Sequence, residues 1–329
     1  MRVLAAARRY HADGLAVTPV KRKKALLPGW QKRRLEPDEF ATHFRAGINV
    51  GVLNGAMSGG LIDIDLDAPE ALAVADAFLP DTALCFGRPS APRSHRYYRC
   101  TPPPETTQIK NPHGKMLIEL RSDGSQTVWP PSTHAPSGER IAFETRGEPA
   151  VVDAFALVAC VEQTAACALL AQRWPKEAGS RHAVANAVAG YLLQSGVPED
   201  ITRKLVRLAA WAAGDEQYRD RPRDVVATAK ALASGKAVTG GAALATLVGH
   251  EVVARLGAWL HLSAPNAGTN SATAIPIITR LSDVEPEQVR WLDRGRLPLG
   301  KVTVIDGDPG LGKSSATLDY AARVSTGAA

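Results

Sequence analysis

The sequence predicts an α+β (α/β) domain with mixed β-sheets, then an all-α domain, then an incomplete α/β segment. Three observations lead to this prediction. Residues 1–149 contain short apolar runs such as INVGVLNG, GLIDIDLD and MLIELR, separated by Gly, Pro and Asn, as expected of strands joined by turns. Residues 150–262 instead repeat Ala, Leu and Val at helical spacing. A small, nearly uncharged stretch at 263–274 predicts a flexible linker, and new apolar and helical patterns follow in 275–329.

The charge of the chain is unevenly distributed. Its 329 residues carry a net charge of +6, with cationic runs at 21–24 and 32–34. Such runs favour a polyanionic partner, nucleic acid or a nucleotide, although a solvated surface is the alternative. No uninterrupted apolar stretch approaches the ~20 residues of a membrane span, and the opening residues are too charged for a secretory signal. We therefore expect a cytoplasmic protein without membrane attachment.

An acidic strand is the first candidate site. The stretch GGLIDIDLDAPE places Asp63, Asp65 and Asp67 at alternate positions of an apolar run. Alternate residues of a strand share a face, so these carboxylates point one way while Ile64 and Leu66 point into a core. Like charges at this spacing raise one another's pKa unless a cation lies between them, and Mg²⁺ prefers carboxylate oxygens. The pattern favours a metal site, and a half-exposed polar strand is the alternative.

Two further residues extend this candidate site. Glu119 stands in the apolar run MLIELR, where it would close a carboxylate cluster around two metal ions about 4 Å apart. His95 begins the run HRYYR and has arginines around it, a combination that suits a triphosphate. Taken alone, His95 is most simply a surface histidine. The order of acid pair, histidine and acid favours a functional role for the whole set.

These motifs resemble the bifunctional primase-polymerase domain of the archaeo-eukaryotic primase superfamily, found in replication proteins of plasmids, phages and integrated elements. The resemblance covers residues 3–150 and includes ADGLAVTPV, KRKKALLPGW and GVLNG. The family's first motif, D-x-D/E, falls on Asp63 and Asp65. Its histidine motif falls on His95, and its third acid falls on Glu119. The resemblance implies that these residues are catalytic and that the three acids bind metal.

The resemblance also implies an activity, in which a 3′-hydroxyl attacks the α-phosphate of a nucleoside triphosphate on a single-stranded DNA template. Mg²⁺ or Mn²⁺ would occupy a two-metal site. The sequence departs from the family pattern at 91–94, where many relatives have two glycines, and Glu119 replaces a more usual Asp. Asp67 matches no essential family position; an exposed acid is the favoured interpretation, and an accessory metal ligand is the alternative. The residues implied to bind the phosphates of the nucleotide are Lys23, Lys24, Arg96, Ser132 and His134.

The helical region resembles the segment that follows the polymerase domain in such replication proteins. Arg181 and His182 stand at a predicted helix start after Gly179 and Ser180. Contact with phosphates of the template or of an initiating nucleotide is one interpretation of this pair. Helix capping and solvation are the other interpretation, and the sequence does not separate the two.

The sharpest motif lies near the end of the chain, where G-x-x-x-x-G-K-[ST] falls on Gly307, Gly312, Lys313 and Ser314. An apolar run precedes it and a helical pattern follows, as in a P-loop. Lys313 would reach the β- and γ-phosphates of ATP, and Ser314 would ligate Mg²⁺. The surroundings resemble RecA-like ATPases of replicative helicases. Too few residues follow to build a RecA-like sheet before Ala329, so we expect the N-terminal part of a longer primase-helicase. ATP binding and oligomer formation would then require the missing helicase part.

Three functions are compatible with these patterns. The first is a primase-polymerase, a nucleotidyltransferase joined to a helicase. The second is a non-catalytic DNA-binding module for replication initiation, which the altered stretch before His95 favours. The third is an ATP-driven helicase or loader whose N-terminal domain only positions DNA. The intact acid pair and the aligned His95 favour the first function.

Overall fold

The computed structural model describes residues 2–262, 291–293, 296–298, 303 and 313–326. The chain divides into one compact unit over Met1–Ala267 and another over Gly268–Ala329. The predicted linker at 263–274 lies outside the described residues.

The first unit begins with strands and small helices. In chain order these are α1 (Arg2–Ala12), β1 (Val17–Lys21), β2 (Lys24–Ala25), α2 (Phe40–His43), β3 (Asn49–Leu53), β4 (Leu61–Leu66), α3 (Pro69–Phe78), β5 (Leu84–Arg88), β6 (Ala91–Arg99), β7 (Thr107–Lys110), β8 (Met116–Arg121), β9 (Gln126–Trp129), β10 (Ala142–Arg146) and β11 (Ala150–Val151).

In the described residues, the strands of this unit form a smaller and a larger sheet. The smaller sheet has the antiparallel order β2-β1-β3-β9, and the larger has the order β10-β5-β6-β4-β8-β7. Strand β11 joins the larger sheet parallel to β6, which makes that sheet mixed. Strand β4 is an inner strand, with β6 and β8 antiparallel on either side of it. The architecture confirms the predicted α+β class.

The acidic strand β4 separates two cores. Its residues Ile62, Ile64 and Leu66 are buried on one face of the sheet, in a core shared with α3 and the later helices. On the opposite face, Leu61 packs in a core between the two sheets, together with Trp129 of β9. Because side chains alternate along a strand, the aspartates of β4 share the face of Leu61. They therefore lie on the side that faces the smaller sheet.

Helices follow the last strand of the first unit. Gly196, Gly214 and Gly235 come after the ends of the second, third and fourth of these helices with φ values of 84°, 79° and 71°. This left-handed conformation ends a helix, as predicted for these glycines. The helices are α4 (Ala154–Arg173), α5 (Ala178–Gln194), α6 (Glu199–Ala212), α7 (Pro222–Ala233), α8 (Gly241–Val248) and α9 (His250–Trp259).

Helix α4 is the central helix of this part of the unit. Within the described residues it is the one helix long and apolar enough, by composition, to cross a membrane. Its buried apolar side chains, from Leu157 to Leu170, join the core that also contains the apolar face of β4. Core helices of water-soluble proteins have this composition, and the packing of α4 explains its apolar character.

The second unit contains a short antiparallel pair, β12 (Trp291–Asp293) and β13 (Leu297–Pro298), and the helix α10 (Lys313–Thr326). Lys313 and Ser314 of the P-loop motif form the first turn of α10, and Gly307 and Gly312 lie outside the described residues. A helix that begins at the Lys-Ser pair is the arrangement that the motif requires.

Candidate active site

Strand register brings the predicted residues of the acidic site together on one face of the larger sheet. In one row, Asp65 stands between His95 of β6 and Glu119 of β8, which are its direct partners. Two residues earlier in β4, Asp63 stands beside Arg121 of β8. All five side chains point to the same side because residues of one row share a face and alternate rows repeat it.

Arg121 lies at the centre of this cluster. Its Nη2 atom is 2.6 Å from Oδ2 of Asp65, and its Nε atom is 2.7 Å from Oε2 of Glu119. Its Nη1 atom is 3.6 Å from Oδ2 of Asp63. Burial opposes the positive charge, but the three carboxylates outweigh it and raise the pKa of Arg121 far above its ordinary value. The sequence analysis did not identify Arg121, although its position two residues after Glu119 places both side chains on one face.

Asp63 is fully buried and is held by hydrogen bonds. Its Oδ2 atom accepts a hydrogen bond of 2.6 Å from Oγ1 of Thr127, and both of its oxygens lie within 3.2 Å of Nδ1 of His95. Burial alone would raise the pKa of Asp63, but His95, Arg121 and Thr127 together lower it. Asp63 is therefore ionised, and it orients His95 and Arg121 from beneath.

His95 connects the buried and the open parts of the cluster. Its Nδ1 atom faces Asp63 and lies 3.6 Å from Oδ1 of Asp65. Burial would lower the pKa of the imidazole, but the charges of Asp65 and Asp63 outweigh burial and raise it. The ring packs on Phe86 at 4.9 Å between centroids and also lines a cavity. His95 thus places a readily protonated group at the cavity floor.

A cavity of about 1170 Å³ opens above the cluster. Three carboxylates, those of Asp65, Asp67 and Glu119, line it together with Arg121. The volume is sufficient for a nucleotide-sized ligand. Most of the opposite charge comes from Lys21, Arg22, Lys23 and Lys24 of the β1–β2 hairpin and from Arg88 at the end of β5. His134 lines the same wall, but burial and the charges of Arg88 and Lys23 lower the pKa of its imidazole. The cavity therefore suits a ligand that carries both phosphates and a metal ion.

The structure separates the residues that were predicted to bind phosphates. Lys23, Lys24 and His134 line the cavity. Arg96 follows His95 in β6 and so faces the other side of the sheet, where its Nη1 atom is 2.5 Å from Oδ1 of Asp76. Ser132 is buried, and its hydroxyl accepts a hydrogen bond of 3.0 Å from the backbone N–H of Val50. Arg96 and Ser132 therefore lie outside the cavity that Lys23, Lys24 and His134 line.

Asp67 lies at the edge of the carboxylate cluster and lines the cavity. Partial desolvation by the cavity wall, together with the charges of Asp65 and Glu119, raises the pKa of Asp67 to about 6. The prediction of an exposed acid is correct as to exposure. The predicted alternation, which points Asp67 the same way as Asp63 and Asp65, continues one residue past the end of β4 and places this side chain beside the other acids.

The donor atoms of the cavity floor fit a divalent cation. Carboxylate oxygens are the hard ligands that Mg²⁺ and Mn²⁺ prefer, and those of Asp65 and Glu119 already converge on one cationic group. In the part of the chain that the structure describes, no three His, Cys, Asp or Glu side chains converge as a complete ligand set. Arg121 lies between Asp65 and Glu119 and supplies the cation that their carboxylates contact.

The fold and the site define an α+β domain that can bind a phosphate-bearing ligand against a carboxylate cluster. Residues 7–153 match the family model described as bifunctional DNA primase/polymerase, N-terminal, and residues 271–329 match that of an AAA domain. These two matches confirm the resemblance seen in the sequence, that of a primase-polymerase domain followed by an AAA segment. No curated protein and no solved structure gave a match. The two domains indicate a replication role of the primase-polymerase type.

Proposed function

We propose that the N-terminal domain catalyses metal-dependent, template-directed nucleotidyl transfer, as a DNA primase or DNA polymerase in the replication of a plasmid, phage or integrated element. One observation carries the proposal. The row of His95, Asp65 and Glu119 forms the floor of a cavity whose other wall is basic. A nucleoside triphosphate needs this combination, because its phosphates require cations and its reacting phosphate requires metal ligands.

Two of the acids line the cavity, and the third is buried beneath it. Asp65 and Glu119 face the cavity and would hold Mg²⁺ or Mn²⁺. Such an ion supplies charge neutralisation at the attacking 3′-hydroxyl and at the leaving pyrophosphate. Asp63 is buried below them and keeps His95 and Arg121 in place through the contacts described above. All three acids therefore contribute to the site, but Asp63 does so by holding His95 and Arg121 in place.

The basic wall would hold the triphosphate. Lys23 lies in the turn of the β1–β2 hairpin, Lys24 begins β2, and His134 approaches from the loop after β9. Charge-assisted hydrogen bonds from such groups are about twice as strong as neutral ones, and they fix the position of a phosphate. Arg88, at the end of β5, lines the same wall and joins this set. His95 would neutralise phosphate charge from the cavity floor.

A non-catalytic DNA-binding module is the second candidate function. The observation that favours it is Arg121, which satisfies Asp65 and Glu119 without a metal ion. If this arginine stayed in place permanently, the acids would serve only to stabilise the fold. The basic cavity would then bind DNA phosphates without chemistry.

Nucleotide incorporation on single-stranded DNA tests the proposal. The full chain is assayed with and without a primer, in Mg²⁺ and in Mn²⁺, beside Asp63→Ala/Asp65→Ala and Glu119→Gln. Asp38→Asn removes an exposed acid that does not line the cavity and serves as the control. Product that requires metal, disappears in the first two variants and persists in the control supports the proposal. Absence of product from folded wild-type protein in both metals supports the second candidate.

The AAA segment suggests that the chain also works with ATP. Lys313 and Ser314 begin α10, where a P-loop would present them to phosphates. We propose ATP binding at this motif, with Mg²⁺. Coupling of priming to a helicase would then act through the AAA segment.

A further inference from the structure

A second basic surface lies on helices α6 and α7. A groove of about 520 Å³ runs between them and is lined by apolar residues of α7. Its charged residues are Arg203, Arg219, Arg223 and Lys230, and we refer to it as the basic groove. None of its lining residues belongs to the cavity above the acids.

The charge balance of the basic groove favours an anionic ligand. Among the residues that the structure describes, no acid lines the groove, and neither Arg219 nor Lys230 has a carboxylate within salt-bridge distance. Arg203 lies 4.0 Å from Glu199, and Arg223 lies 3.1 Å from Asp220. Both of these pairs are exposed, and exposed pairs contribute little free energy, so phosphates can replace the carboxylates.

An exposed tryptophan continues the basic surface along α6. Arg203, Arg207 and Trp211 are exposed and follow one another at intervals of four residues, which places them on one face of the helix. Trp211 has 42% of its surface accessible. An aromatic ring beside cations is the combination that binds single-stranded nucleic acid, because bases stack on the ring while the cations hold the phosphates. A duplex hides its base faces and would leave the indole unused.

Arg181 and His182, which the sequence offered as possible phosphate contacts, contact carboxylates of the protein instead. Nη1 of Arg181 is 3.3 Å from Oδ1 of Asp215, and Nδ1 of His182 is 3.2 Å from Oδ1 of Asp224. Both contacts tie α5 to the segment that contains α7 and the loop before it. These ion pairs favour the structural interpretation of Arg181 and His182, and they leave the basic groove as the better candidate.

We infer that the face of α6 and α7 formed by the basic groove, Arg207 and Trp211 binds single-stranded nucleic acid. The phosphates lie along the cations, and a base stacks on the indole of Trp211. The surface would hold the template strand outside the cavity, and this part of the inference rests on the proposed function. Binding itself requires no catalysis, so the two can be tested separately.

The test is the salt dependence of binding of the full chain to a fluorescent oligothymidylate, followed by anisotropy. The variant Arg203→Gln/Arg223→Gln/Lys230→Gln removes charges of the groove. Each phosphate contact on a single strand contributes about 0.7 to the slope of log K against log salt, so the slope should fall in magnitude by about 2. The control Arg2→Gln/Arg8→Gln/Lys176→Gln removes equal charge from exposed positions outside the groove and should keep the wild-type slope.

A second variant tests the tryptophan. Trp211→Ala should bind oligothymidylate about tenfold more weakly with an unchanged salt slope, and Trp211→Phe should restore most of the affinity, because stacking needs a ring rather than a charge. Thermal denaturation checks that both variants are folded.

Two results would overturn the inference. One is a groove variant whose salt slope equals that of the wild type. The other is displacement of the oligothymidylate by polyglutamate as readily as by unlabelled oligothymidylate, which would show a general polyanion surface suited to an acidic protein. A wild-type chain that incorporates no nucleotide in Mg²⁺ or in Mn²⁺ but still shows the groove effect would reject the proposed function and keep this surface.

Discussion

Nη2 of Arg121 lies 2.6 Å from Oδ2 of Asp65, and the same guanidinium contacts Glu119 and approaches Asp63. In the absence of metal, this arginine is the cation that allows the acids to share one face of a sheet. Because Arg121 takes the place of a metal ion, its substitution should affect both stability and metal binding.

Arg121→Ala should lower the free energy of unfolding by about 3 kcal/mol, because it leaves a buried carboxylate without its cation. Arg121→Lys keeps a charge but loses the planar fork, so it should lose less. Mg²⁺ should raise the melting temperature of Arg121→Ala more than that of the wild type, since the freed acids then need the ion. Denaturation with and without Mg²⁺ measures both effects. An equal response to Mg²⁺ in the two proteins would show that the ion binds elsewhere.

The two aspartates of the D-x-D motif should behave differently. Asp63 is fully buried and hydrogen-bonded, so Asp63→Asn should cost about 1–3 kcal/mol of stability as well as activity. Asp65 reaches the cavity, so Asp65→Asn should remove nucleotide incorporation with a smaller loss of stability. Urea denaturation beside the incorporation assay separates the two. Equal stability losses would contradict the division between a buried and a cavity-facing acid.

Thr127 should matter mainly through Asp63, although its hydroxyl also accepts hydrogen bonds from Nδ2 of Asn54 and Nη1 of Arg121. Its hydroxyl donates a hydrogen bond of 2.6 Å to the buried carboxylate, and Thr127→Val should cost about 1.5–3 kcal/mol, the usual range for a hydrogen bond to a charged group. Thr127→Ser keeps the donor and should lose less. Thr107→Val, at an exposed position of β7, is the matched control and should leave the midpoint of urea denaturation nearly unchanged.

Asp67 should make stability depend on pH. Its pKa is raised from 3.8 to about 6 in the folded chain, so its protonated form is favoured by folding. The stability that it contributes is fully present below pH 3.8 and is lost as the pH rises through 6. Asp67→Asn should therefore melt higher than the wild type above pH 6 and equally near pH 3.8, when both are measured with a chelator. A difference that does not change with pH would contradict the assignment.

The cavity wall and the far side of the sheet should give opposite results in nucleotide binding. Lys23→Gln/Lys24→Gln removes charges that line the cavity and should weaken binding of a nucleoside triphosphate by about tenfold, or 1.4 kcal/mol. Arg96→Gln, on the other face, should leave that affinity unchanged, because the carboxylate that Arg96 contacts, Asp76, does not line the cavity and keeps Arg93 as a partner. Isothermal titration calorimetry with a non-hydrolysable triphosphate measures the affinities. Equal weakening in both would return Arg96 to the phosphate-binding set.

Much of the fold followed from local pattern, because alternation and turn residues are encoded locally. The strand of Asp63 and the run around Glu119 were predicted for this reason, and the structure has them as β4 and β8. Strands β5, β7 and β10 were not predicted. Strands β7 and β10 lie at the two edges of the larger sheet and are mostly exposed, so they carry little of the apolar alternation that marks an inner strand. Strand β5 is an inner strand, but its short run LCFGR does not alternate apolar and polar residues.

The composition of the site was harder to predict than its location. The sequence analysis placed acids and a histidine on strands, but the register that sets Asp65 between His95 and Glu119 is a property of pairing, which no local pattern contains. Arg121 was missed because a single arginine in a strand is usually exposed. Arg96 was included because it is adjacent to His95 in sequence, although adjacent residues of a strand face opposite sides.

The core that contains Ile62 and Ile64 also contains buried residues of α4 and α5. The family match ends at residue 153, but the apolar face of the sheet is covered by helices that begin at Ala154. Evolutionary boundary and folding boundary therefore differ in this chain. A fragment cut at the family boundary would expose that face to solvent, so the strands that carry the acids should unfold together with the helices in one cooperative transition.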